Sequence, residues 1–183
     1  MIKLKRWIRV CKNQNSRGVS DRNYWLTLFT GTTWQEFLNA GANTAGFPEK
    51  RWGSVRRIKP GDYLLCYLTG VSRWVGILEV VSAPFTDNTP IWTSGTFPSR
   101  VKVKPVFQLE PKTAVPVLDL KEKLSVFRNL SNPKIWSGAF RVAPLQWKKE
   151  DGEAVAIAVE KASRNPIERP TDEKKLNRKP KRY

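Results

Sequence analysis

The sequence predicts an α+β domain, a small and strongly bent sheet or barrel of mostly antiparallel strands with flanking helices laid at its ends. Two observations carry that expectation: apolar runs of strand length lie close together along the chain, and segments of helical periodicity stand beside them. A third sets the scale. At 183 residues the chain is long enough for one well-cored domain and too short for two large ones.

The elements follow in order. The stretch NYWLTLFT alternates bulky residues and reads as a first strand ending near Thr30. In TTWQEFLNAGA, Thr33 and Glu36 form a T-x-x-E capping box that opens a short helix, which the next glycine region ends. Within IKPGDYLLCYLTG, Pro60-Gly61 is the pair a type II turn wants at its centre, and an almost continuous apolar strand follows. Such a strand is buried on both faces. RWVGILEVVSAPF gives a third strand and SRVKVKPVFQLE a fourth, while VPVLDLKEKLSVF places Val117, Leu120, Leu124 and Phe127 at helical spacing. WSGAFRVAP reads as a closing strand and LQWKKEDGEAVAIAVEKA as a last helix, with no internal repeat anywhere.

Charge points to the partner. Lys and Arg number 33 against 16 Asp and Glu, a net +17, with an isoelectric point near 10.2. A polyanion, most simply nucleic acid, is the expected partner. No run approaches the roughly 18 apolar residues of a spanning helix and the N-terminus lacks a signal-peptide core, so the expectation is a soluble, cytoplasmic protein without a membrane partner. The ends are the most basic parts: residues 1–24 hold seven cations and one anion, residues 161–183 nine and three. The second of these has almost no apolar residues to bury, so it reads as a disordered basic tail, 161–183, balancing a basic N-terminal arm, 1–22. A solubilising role without a partner is the alternative for either end.

Two absences narrow the chemistry. There is no His, which removes the side chain that titrates near neutrality and the usual partner of Ser or Cys nucleophiles. Cys11 and Cys66 lie far apart, and Cys66 within DYLLCYL reads as a small buried apolar residue. Neither a metal site nor a disulfide framework is supported, and no cofactor is expected.

The long loop around residues 84–99 is the outlier, because loops above about 12 residues in a compact domain are usually functional or disordered. Ile91, Trp92 and Phe97 argue against disorder. Trp92 either packs over the end of the sheet or offers a stacking face to a ring, worth roughly 1–3 kcal/mol per base.

The ordered set YWLTLF, AGFPEKR, IKPGDYLLCYLTG, GILEVVSAPF, TPIWTSGTFPSRVKVKP and SGAFR resembles the successive blocks of the EVE domain, a PUA-like family related in structure to the YTH domain. The resemblance covers about residues 23–160 and implies a PUA-like bent β-barrel that takes one flipped nucleobase into a pocket. It implies a reader of modified bases in DNA or RNA, modified cytosines above all, rather than an enzyme. It also implies a link to prokaryotic restriction-type defence, with a restriction or effector protein as a possible partner. Trp92 matches the loop Trp that walls the aromatic cage in YTH relatives. Many EVE sequences carry a Trp before the Gly of the GFP-like block, where this chain has Ala45, so either Phe47, Trp52 or Trp74 substitutes for that wall or the pocket is wider and suits a bulkier modified base. The pocket is accordingly expected from Trp92, Phe97 and Pro98 of the loop, Ala45, Gly46 and Phe47, Trp74, and the threonines Thr30, Thr32 and Thr33. Arg100, Lys102 and Lys104 alternate and so share one strand face; with Arg73 and Arg141 they are the expected phosphate contacts.

Two other classes compete. A pocketless basic protein that coats RNA or DNA would bind without regard to base modification. A Mg²⁺-dependent nuclease would need converging carboxylates, for which Asp87, the Glu110-x-Lys112 pair and Asp119-x-Lys121 are the candidates.

Overall fold

In the computed structural model, which describes residues 22–128 and 133–177, the first apolar run forms β1 (Tyr24–Phe29) and leads into α1 (Gly31–Asn39). The cap lies one turn earlier than the sequence suggests. Thr30 is extended (φ −89°, ψ 169°), as an N-cap must be. Its hydroxyl accepts from Thr33 N at 3.1 Å, and the Thr33 hydroxyl accepts from Thr30 N at 2.9 Å. The box is therefore Thr30/Thr33, and Glu36, already inside the helix, is free to reach elsewhere.

β2 (Thr44–Phe47), a 3₁₀ turn at Glu49–Arg51 and the short α2 (Trp52–Val55) lead to the Pro60-Gly61 turn. Asp62 N donates to Lys59 O at 3.0 Å, and Gly61 has the positive φ (+92°) that a type II turn requires. The buried Asp62 carboxylate ties this turn to the start of β1. One oxygen accepts from Asn23 N (3.0 Å) and Nδ2 (3.2 Å), the other from Trp25 Nε1 (2.8 Å) and Lys59 N (3.0 Å).

The remaining strands are β3 (Tyr63–Leu68), β4 (Arg73–Val80), β5 (Phe85–Thr86), β6 (Ser99–Gln108), β7 (Val115–Pro116) and β8 (Leu145–Trp147). They form one curled mixed sheet in the order β2-β6-β4-β3-β1-β8, with β5 beside β6 and β7 beside β4. Only β1 and β3 pair in parallel among the described strands. Irregularities at Cys66/Tyr67 and Ile77/Leu78 bend the central strands. The result is the PUA-like half-barrel expected. Leu26, Leu65 and Ile77 are buried in register on one face of the sheet and Leu78 and Val101 on the other, and burial pushes the Cys66 thiol well up, so it serves as a small apolar residue.

A long helix, α3 (Lys149–Arg164), packs across β4, β6 and β1; Gly152 meets the Tyr24 ring so closely that a Cβ would clash. Asp151 in its first turn accepts from Ser125 N (2.7 Å) and Oγ (2.6 Å).

Three segments depart from the sequence reading. The expected helix over 117–127 is a pair of 3₁₀ turns, Val117–Leu120 and Ser125–Phe127, since apolar residues at i and i+3 suit 3.0 as well as 3.6 residues per turn. The expected strand WSGAFRVAP begins as a 3₁₀ segment, Pro133–Phe140, because Trp136, Ala139 and Phe140 recur at helical rather than alternating spacing. Its Phe140 stacks on Tyr67 at 4.7 Å, and the closing strand is β8, which the sequence pattern assigns to the start of the last helix.

The tail is the third. Residues 161–164 belong to α3, and the following chain packs back onto the domain as far as a one-turn helix, α4 (Glu173–Leu176), with Leu176 buried. Long-range hydrogen bonds to Arg73, which composition does not reveal, hold it. Residues 1–21 of the basic arm and 178–183 of the tail lie outside the described residues.

Candidate functional site

The parallel pairing of β1 with β3 brings their ends level, Phe29 opposite Leu68, so that Thr30 and Thr69 emerge side by side. Thr69 N (2.8 Å) and Oγ1 (3.1 Å) both donate to Phe29 O. A cleft of about 180 Å³ opens at this edge. A dry cavity of about 150 Å³ holds a benzene ring, so the size suits one aromatic ring. Its walls are Leu28, Phe29, Thr30 and Thr33 on one side, Gly46, Phe47, Pro48, Lys50 and Arg51 on another, then Thr69, Trp92, Phe97, Arg141 and Ala143. Four aromatic residues, three threonines and three cations thus line a concave space without a carboxylate.

Trp92 is fixed rather than flapping. It is 6% exposed, donates from Nε1 to Thr33 O at 3.2 Å, and meets Phe97 edge-on at 5.4 Å. Its six-membered ring presses on Gly46, where a Cβ would lie 2.5 Å from Cζ3 and 2.9 Å from the Phe97 carbonyl oxygen. Only glycine allows that approach. Glu36, released from the cap, accepts from Thr93 N (3.2 Å) and Oγ1 (2.6 Å) and ties the loop to α1.

Arg100 holds the loop from beneath. It is 1% exposed; its guanidinium donates to Asp87 (2.6 Å), to the carbonyls of Thr96 (3.0 Å) and Phe97 (3.2 Å), and to that of Thr89. Hydrogen bonds from the Thr89 amide and hydroxyl, together with Arg100, hold the Asp87 carboxyl below the usual carboxylate range.

The sequence-derived site is therefore partly assembled. Trp92, Phe97, Gly46, Phe47, Thr30, Thr33 and Arg141 line the cleft. Four expected members do not. Ala45 faces the core because strand alternation turns it away from Gly46, and Thr32 lies on α1 beside a separate hollow next to Leu176. Trp74 is fully buried against Tyr67, Phe140 and Trp147, and Pro98 is not in the lining.

The phosphate set changes as well. Arg100 is consumed by the loop. Arg73 is buried, bonded to the carbonyls of Pro111 (2.8 Å) and Pro170 (2.6 Å). Lys104 is exposed but paired with Glu79 at 3.1 Å, and Lys102, also exposed, donates to Thr44 at 3.0 Å. The strand face is shared as alternation requires, yet the loop covers its first cation. At the cleft the cations are Arg141, Arg51 and Lys50. Lys50 and Arg51 follow Gly46-Phe47-Pro48 after one intervening residue in GFPEKR, and that block was their signal. Thr69 had none, since only the parallel register places it beside Thr30.

The carboxylates nominated for metal do not converge. Asp87 pairs with Arg100, Asp119 with Arg169, and Lys112 sits between Glu110 and Glu168. Among the described residues no three His, Cys, Asp or Glu group as a metal would need, and no helix is long and apolar enough to cross a membrane.

The family model of the EVE domain matches residues 23–158. A UPF0310 protein of Pyrococcus abyssi is 32% identical over 130 residues, 63% of this chain and 84% of that protein. Another, of Pyrococcus horikoshii, is 28% identical over 131 residues, 64% and 84% of the two chains. Among solved structures, the YTH domain of Mmi1 in complex with RNA shares the fold with a TM-score of 0.59 at 14% identity, covering 86% of this chain and 90% of that one. Rpa0253 of Rhodopseudomonas palustris does so with a TM-score of 0.51 at 20% identity, covering 75% and 93%.

Proposed function

The chain belongs to the EVE domain family, and from that premise we propose that it is a non-catalytic nucleic-acid-binding module that takes one extruded, modified base, a modified cytosine by preference, into the Trp92 cleft. The observation that carries this reading is the lining: fixed rings of Trp92, Phe47 and Phe97, hydroxyls of Thr30, Thr33 and Thr69, and cations at Lys50, Arg51 and Arg141 around a space of ring size. Extruding a base costs a few kcal/mol, which stacking and edge hydrogen bonds must offset. Stacking on an aromatic side chain returns roughly 1–3 kcal/mol per base. Apolar walls with a few convergent polar groups are the usual composition of a small-molecule site. The fold likeness to a YTH domain in complex with RNA supports a nucleic-acid ligand.

The test is a panel of short single-stranded oligonucleotides, DNA and RNA, identical except for one central base that is unmodified or carries a methyl, hydroxymethyl or larger substituent. The reading predicts that one modified base binds at least tenfold more tightly than its unmodified parent. Equal affinity across the panel would leave a basic coat protein as the better account, and cleavage of any oligonucleotide with Mg²⁺ would make it a nuclease.

A further inference from the structure

One large aromatic ring lies outside the cleft and faces water. Among the described tryptophans only Trp52 is exposed, at 37%, whereas Trp25, Trp34, Trp74 and Trp92 are buried. No other ring packs on it among the described residues. The local fold keeps it outside. Val55 and Ile58 are the residues that this segment buries, and Arg56 N donates to Trp52 O at 2.9 Å to close the single turn of α2. Residues four apart share a helix face, so Trp52 and Arg56 stand together on the exposed side. Gly53 is exposed as well, and a Cβ there would meet nothing within 4 Å. The surface beside the ring is therefore open.

Its surroundings are cationic. Residues 50–59, KRWGSVRRIK, hold five cations and no anion. Arg56, Arg57 and Lys59 are exposed, and neither they nor Arg51 pair with a carboxylate among the described residues. By contrast, Lys104, Lys112, Arg164, Arg169 and Lys175 each meet one. A cluster of unneutralised positive charge attracts a polyanion.

This face is continuous with the cleft. Arg51 is part of the cleft lining, and Trp52 is the next residue, about 3.8 Å further along the backbone. A strand that places one base in the cleft must carry its neighbours past the cleft mouth. Proteins that hold single strands without regard to sequence combine rings on which bases stack with cations that follow the phosphates. Both are present here in adjacent positions.

We propose that Trp52 and Arg56 form a second nucleic-acid contact outside the cleft, on which the base next to the extruded one stacks on the indole while the guanidinium meets the adjoining phosphate. The proposal rests on the base-cleft reading for the position of the strand. Its selectivity is different: every base offers a π face, so the platform adds affinity whatever base the cleft holds.

The experiment uses anisotropy of a labelled 12-nucleotide DNA single strand with a central 5-methylcytosine and of its unmodified twin. Two further versions carry an abasic site immediately 5′ or immediately 3′ of the central base. Trp52→Ala should weaken binding of both intact strands by the same factor, about fivefold or more, and leave the ratio between them unchanged. Removing the stacked base should do to the parent chain what removing the ring does, so one of the two abasic strands should bind the parent and Trp52→Ala alike. Arg56→Gln should flatten the slope of log K against log salt by about 0.7, one phosphate contact on a single strand. Affinities that Trp52→Ala leaves unchanged overturn the platform and make residues 50–59 a solvated face. A loss confined to the modified strand also overturns it, and makes Trp52 part of the cleft. A parent chain that binds the modified strand and its twin equally sinks the base-cleft reading instead, while the intact and abasic strands with Trp52→Ala still decide the platform.

Discussion

Replacing Asp62 with Ala should lower the unfolding free energy by about 3–4 kcal/mol, because buried Trp25 Nε1 left without an acceptor costs roughly 1–3 kcal/mol and three part-buried donors lose a charged acceptor for smaller amounts. Trp25 Nε1 is the most costly of them, since that side chain is fully buried in the core. At roughly 2–4 °C per kcal/mol for a chain of this size, the melting temperature should drop by about 6–16 °C. Asp62→Asn should recover only part of this. Two donors face each oxygen, so whichever side the amide nitrogen takes, a pair of donors meets another donor. Thermal melts of both variants check the claim, and a drop under about 2 °C for Asp62→Ala, less than 1 kcal/mol on the same scale, would remove the turn from its place as the anchor between β1 and β3.

The second large effect is at Arg100. Arg100→Met should unfasten the loop that carries Trp92, leaving the carbonyls of Thr89, Thr96 and Phe97 and the Asp87 carboxylate without their shared donor. The stability cost is about 2–3 kcal/mol, below the roughly 3–5 kcal/mol of a fully buried pair because Asp87 opens partly to water. Affinity for the preferred oligonucleotide should fall more than tenfold, although the side chain is too buried to touch a ligand. Arg100→Lys should rescue little, since an ammonium cannot replace the planar fork that reaches three carbonyls and a carboxylate at once. Had Arg100 been a phosphate contact, Lys would rescue and the salt slope would fall. Melting curves and anisotropy on both variants separate these outcomes.

The same residue shows why some of the site was legible and some was not. Alternation in SRVKVKP places Arg100, Lys102 and Lys104 on one face correctly, but a period of two says nothing about what lies over that face. The loop from Asp87 to Phe97 folds over Arg100 alone, and that closure is a long-range fact. Trp92 could be read because a large aromatic on a long polar loop has few reasons to be there. Trp74 could not be told from a cleft ring, since aromatics seal strand ends as readily as they line pockets, and it joined the Phe140 cluster. The four long strands, β1, β3, β4 and β6, were legible through their apolar runs and turn residues, whereas the two- to four-residue β2, β5, β7 and β8 are too short to show a pattern of their own. The 117–127 and 133–140 stretches were not legible either, because short apolar repeats fit 3₁₀, helix and strand alike. In the tail one buried Leu176 and a few backbone hydrogen bonds outweigh a disorder-prone composition.

The central claim is that Trp92 stacks on the base, and the measurement closest to it is the affinity of Trp92→Ala for the preferred modified oligonucleotide beside its unmodified twin, with the melting temperature taken on the same samples. Losing the stacking wall should weaken binding of the modified strand by roughly 1–3 kcal/mol, about five- to 150-fold. The unmodified strand, which on this reading depends on surface cations such as Lys102, Arg51 and Arg141 more than on the cleft ring, should lose much less. Trp92→Phe should keep part of the preference, since it keeps a ring. Equal loss for both strands, or a drop in melting temperature with the preference intact, would contradict the account and make Trp92 a packing lid over the end of the sheet.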